Sequence, residues 1–97
     1  MADIRSQALD QLFEAILGLQ TTEDCYRFFE DVCTINEVQD MAQRYEVALL
    51  LEQGMNYQQI AQQVGISTAT ISRVSRCLNY GSGGYRDAIK RRKEEKA

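Results

Sequence analysis

Histidine, proline and tryptophan are missing from the 97 residues, and cysteine occurs only three times. Without histidine the chain lacks the commonest general base and the usual companion of cysteine in a metal site. No metal-ligand spacing, G-x-S-x-G elbow or phosphate-cradling glycine loop stands in its place, so an enzyme is not indicated and no cofactor or metal is implied. Cys25, Cys33 and Cys77 are an odd number with no secretory signal ahead of them, which reads as reduced thiols in a cytoplasmic protein. Cys25 and Cys33 fall eight apart, near one helix face, where packing accounts for them better than redox sensing does. The opening MADIRSQ has neither the charged nor the apolar region of a signal peptide, and the longest apolar run is Val47 to Leu51. Neither secretion nor membrane spanning is expected.

Alternation of apolar and polar residues is nearly absent, while apolar residues recur at helical spacing almost throughout; the fold class is all-α. The length suits one domain, 1–97, with a helical dimerisation part at 1–54, a helix-turn-helix at 55–80, and a glycine break and basic helix at 81–97. A chain this short buries a modest core, which makes a dimer the expected state. The net charge of −3 conceals an asymmetry. Residues 1–54 carry eleven acids against Arg5, Arg27 and Arg44, a net −8, whereas residues 55–97 carry eight cations against three acids, a net +5. A polyanion is repelled by the first part and attracted by the second, which orients the protein on it.

The stretch that carries most information is YQQIAQQVGISTATISRVSRCLN, Tyr57 to Asn79. Ile60, Ala61 and Val64 form the apolar face of a short helix, Gly65 supplies a turn, and Ile66, Ile71, Val74 and Leu78 supply the stripe of a second helix. Asn56 caps the first helix with Gln59 as its capping-box partner, and Ser67 caps the second. Small Ala61 allows close crossing, and Gly65 can take the positive φ of a tight turn. Projected at about 100° per residue, the second helix turns Ala69, Ser72, Arg73 and Arg76 away from the core, with Thr68 and Thr70 at its first turn. A small, hydroxylated, basic face free of acids can enter a major groove and anchor on phosphates, so double-stranded DNA is the expected partner. An ordinary helical hairpin with a solvated polar face is the blander account.

Upstream, Leu9, Leu12, Phe13, Ile16 and Leu17 mark an amphipathic helix over Asp3 to Leu19. A threonine before Glu23 and Asp24 opens a second, which holds Cys25, Phe28, Phe29, Val32 and Cys33 and needs a partner surface. Thr34 and Glu37 form a capping box for a third helix, Ile35 to Gln53, closed by Gly54. Its apolar positions widen toward the whole circumference by Leu51, which predicts a spine buried on all sides. Downstream, Tyr80 to Gly84 reads as a flexible linker. The basic helix from Tyr85 to Lys96 is either a frayed tail or a source of extra phosphate contacts through Arg86, Lys90, Arg91 and Arg92.

With MAQRYEVALLLEQG, IAQQVGISTATISR and SGGYRDAI in that order, the chain resembles the Trp-repressor family, most of all its YerC/YecD-type branch. The resemblance implies an intertwined all-helical homodimer whose two helix-turn-helix units reach successive major grooves of a palindromic operator. It places Thr68, Ala69, Thr70 and Ser72 near bases, with Gln58 and Asn79 as further phosphate or base contacts. It also implies an effector pocket at Arg44, Arg73 and, from the partner subunit, Thr34. There Val74 stands where tryptophan-responsive members have glycine, Cys77 where they have serine, and Asp31 and Cys33 where they have leucines. Three added carbons at Val74 intrude where an indole would lie, and one methylene forced into a packed site already costs about 1 to 3 kcal/mol. The expectation is therefore a constitutive regulator, with another small ligand as the alternative. A module that docks a protein of the transcription apparatus is the competing class, distinguished by weak, sequence-blind DNA binding.

Overall fold

The computed structural model describes residues 3–96, and among them there are helices and connecting turns but no strand. The chain divides into two compact units, one up to Val38 and one from Gln39 onward.

The first unit holds α1 (Gln7–Leu17), α2 (Thr22–Val32) and the opening turn of α3 (Ile35–Glu52). Local caps set their limits. The Ser6 hydroxyl accepts the Leu9 amide at 3.1 Å, so α1 starts at Gln7 and not at Asp3, whose carboxylate instead accepts the Arg5 amide. Thr21 accepts from the Asp24 amide at 3.0 Å while Asp24 accepts from the Gln20 amide, tying down the start of α2. Thr34 and Glu37 close their box in both directions, at 2.8 and 3.2 Å. Those bonds from Thr34, first from its backbone and then from its side chain, hold the Glu37 carboxyl below the usual range. Despite this local order, no residue of α1 or α2 is buried. The Phe28 and Phe29 rings pack edge to face at 5.5 Å, and Leu17 is left 84% exposed.

The second unit is built differently. Val47, Ala48 and Leu50 from the end of α3 meet Ile60, Ile71, Val74, Leu78 and Ile89 in one continuous buried cluster. Helix α3 ends in a Schellman closure, with the Met55 amide on the Leu50 carbonyl and the Gly54 amide on that of Leu51, and Gly54 takes a φ of 88°. The spine is thus apolar-packed only near its C-terminal end. Met41 and Ala42 are exposed in the single chain, contrary to a helix covered on all sides. Helix α4 (Tyr57–Ile60) runs into one π-helical turn, Ala61–Gly65, which the apolar spacing did not foretell. Helix α5 (Thr68–Tyr80) follows, then α6 (Gly84–Lys96).

Candidate nucleic-acid interface

Helix α4 is started by Asn56, whose side chain accepts the Gln59 amide at 2.9 Å while the Gln59 side chain accepts the Asn56 amide at 3.2 Å. Gly65, at φ 78°, reverses the chain at a position where an ordinary side chain is strained. Ser67 then caps α5 by accepting the Thr70 amide at 3.2 Å. Ile71, Val74 and Leu78, all 5% exposed or less, fasten α5 to the core and thereby decide which face is left outside.

That outer face carries Thr68, Ala69, Ser72, Arg73 and Arg76, every one exposed, and Gln58 is exposed on α4. Among the described residues neither Arg73 nor Arg76 makes an ion pair, so both guanidiniums are available to an anion. Thr70 differs from its neighbours. It is half-buried, and its hydroxyl lies 3.1 Å from that of Ser67. Asn79 is exposed, yet its amide donates to the Ser75 carbonyl at 2.9 Å and its oxygen accepts from Arg86 at 2.8 Å, so both polar ends are engaged within the chain.

Beside this face lies a cavity of about 510 Å³ lined by Asp40, Gln43, Arg44, Ile66, Thr70, Arg73, Val74, Cys77 and Tyr85. Arg44, Arg73, Val74 and Cys77, four of the five residues expected at an effector pocket, come together here. The fifth, Thr34, belongs to the first unit and is engaged in its capping box. Val74 is 2% exposed and serves the core as much as the cavity wall, whereas the Cys77 thiol is exposed. Cys25 is exposed and Cys33 half-buried, both free.

The sequence reading missed the role of α6. Ile89 is 4% exposed and Tyr85 packs against the core, so the helix is docked, not frayed. Arg86 and Lys93, seven apart and hence on one face, both bind the Glu52 carboxylate at the end of α3. The Lys93 hydrogen bond and charge, followed by Arg86, pull the Glu52 carboxyl below its usual range. The turn before α6 is shaped to fit. The Gly81 amide bonds the Cys77 carbonyl at 2.9 Å, and a Cβ on Gly81 would collide with that carbonyl. Tyr80 to Gly84 is therefore a specified reversal and not the linker its composition indicates.

A model of the Trp repressor protein family matches residues 7–93. The chain belongs to that family. The family is one of helix-turn-helix DNA-binding regulators, and α4, the glycine turn and α5 are its helix-turn-helix in this chain. The uncharacterized protein YerC of Bacillus subtilis (strain 168) is 57% identical over 91 residues, covering 94% of this chain and 88% of that protein. A TrpR-like protein from Eubacterium eligens ATCC 27750 superposes with a TM-score of 0.88 at 52% identity, over 91% of both chains. A candidate Trp repressor from Staphylococcus aureus gives 0.88 at 49% identity, over 93% of this chain and 90% of that one. The all-helical family fold read from the sequence is thereby borne out. No described helix is long and apolar enough to cross a membrane.

Proposed function

We propose that the protein is a cytoplasmic, sequence-specific transcriptional repressor that binds a palindromic operator as a homodimer and does not respond to tryptophan. The observation that carries this reading is the outer face of α5, acid-free and exposed from Thr68 to Arg76 while its opposite face is locked into the core. Thr68, Ala69, Thr70 and Ser72 face base edges; Arg73 and Arg76, with Gln58, anchor on phosphates. The bare apolar residues of the first unit, Phe13, Leu17, Tyr26 and Val32 among them, supply the surface for a second copy. Dimerisation sets two recognition helices about one DNA turn, roughly 34 Å, apart. Val74 argues against tryptophan, since its side chain already occupies the wall an indole would need.

The test is selection of bound duplexes from a random pool by the purified protein, with and without L-tryptophan. A palindrome enriched equally in both is the expected result. Enrichment only with tryptophan overturns the effector reading, and none in either overturns the DNA-binding one. Against the selected site, Arg76→Ala weakens binding to cognate and random DNA alike and makes the salt slope shallower by about 1. The cavity beside Arg44 and Arg73 favours one other reading, a regulator answering to a different, anionic small ligand, in which case selection succeeds only when that ligand is supplied.

A further inference from the structure

One guanidinium joins three helices. Arg86 of α6 donates through one terminal nitrogen to Glu52 at the end of α3, and through the other to the Asn79 oxygen at 2.8 Å, near the end of α5. Asn79 passes the restraint on by donating to the Ser75 carbonyl one turn earlier. Lys93 holds the second Glu52 oxygen at 3.1 Å, which leaves the carboxylate fully engaged and fixed in place. Gly81 permits the close reversal that delivers Arg86 to this position, and buried Ile89 keeps α6 against the core.

We infer that Glu52, Arg86 and Asn79 are positioning residues that brace the C-terminal end of the recognition helix, so that α6 governs DNA discrimination without touching DNA. The inference rests on the DNA-binding reading above. Its physical content is that α5 is pinned by apolar packing along one stripe, which resists separation but allows rocking about the helix axis. A planar fork bonded at both ends opposes that rotation. Arg86 is thus withdrawn from the phosphate-contacting set to which its charge alone assigns it. On the outward side of α6, Arg91 and Arg92 are offset by Asp87, Glu94 and Glu95, so the helix offers little net charge to a phosphate backbone.

The two roles differ in sign. Were Arg86 a phosphate contact, Glu52→Gln would release it and strengthen binding to every duplex. If Arg86 is a brace, Glu52→Gln weakens the cognate complex alone. The experiment measures affinity of the full-length protein for its selected duplex and for a random duplex across a salt series, in the wild type, Glu52→Gln and Arg86→Lys. Lysine keeps the ion pair to Glu52, and with it the fold, but not the planar fork. Both variants are expected to lose about threefold to tenfold on the selected duplex, with random-duplex affinity and salt slope unchanged. In the DNA-free protein, nuclear magnetic resonance should show the Asn79 side-chain amide exchanging faster in Arg86→Lys than in the wild type. A gain on both duplexes with Glu52→Gln overturns the brace. So does wild-type selectivity that survives both substitutions. A wild type with no preferred sequence overturns the DNA reading and the brace together.

Discussion

The two units reach helical order by different routes. In the first, hydroxyl caps and acidic first turns define α1 and α2 although neither helix buries a residue in the single chain. In the second, the caps are as good, and a continuous core of eight residues stands behind them. Eleven-residue helices are marginal on their own in water, so caps alone cannot sustain the first unit. The contrast teaches that local signals decide where a helix starts and stops, while burial decides whether it persists. The missing burial in the first unit is the physical argument for a second copy.

The contrast can be broken at several points. Ile71→Ala opens a cavity in the second unit and should lower stability by about 2 to 5 kcal/mol in urea unfolding, whatever the protein concentration. Phe13→Asp, by comparison, should leave the second unit folded but raise the dimer dissociation constant at least about tenfold in sedimentation equilibrium. An unchanged association state would remove the second copy from the account of the first unit. Gly65→Ala forces a side chain into positive φ and should cost about 1 to 2 kcal/mol in the same urea experiment. The smallest effect concerns acid. The folded Glu52 carboxyl titrates below its unfolded value of 4.5, so its contribution is present above that pH and is lost as the pH falls through the lower, folded value. In Glu52→Gln the acid limb of a stability profile should be correspondingly flatter, measured as thermal midpoint against pH.

Much of this was legible because it is local. Asn56 with Gln59, Thr34 with Glu37, Ser67, and Gly54 and Gly65 all act within four residues of themselves, and each does in the structure what its spacing predicts. The stripe of Ile71, Val74 and Leu78 likewise fixes the outward face of α5. What escaped is non-local. Glu52 and Arg86 lie 34 positions apart, and no periodicity marks them as partners. The π-helical turn at Ala61–Gly65 shifts the ladder by one residue, which an apolar pattern of three or four residues does not register. Asn79 looked free because its neighbours are polar, yet its partner comes from beyond the glycine turn.

Gly81 gives that turn a meaning in the language of protein engineering. The segment Gly-Ser-Gly-Gly has the composition of the flexible tethers used to join domains, and a designer would treat its letters as interchangeable. Here they are not, because the Cys77 carbonyl occupies the space a Cβ at position 81 requires, whereas Ser82 carries its own side chain in place. Exchanging the first two residues, to Ser-Gly-Gly-Gly, would preserve length, formula and nominal flexibility and still unseat α6. In this segment information resides in order and not in content, and a spacer copied from it would inherit a fold instruction along with its glycines.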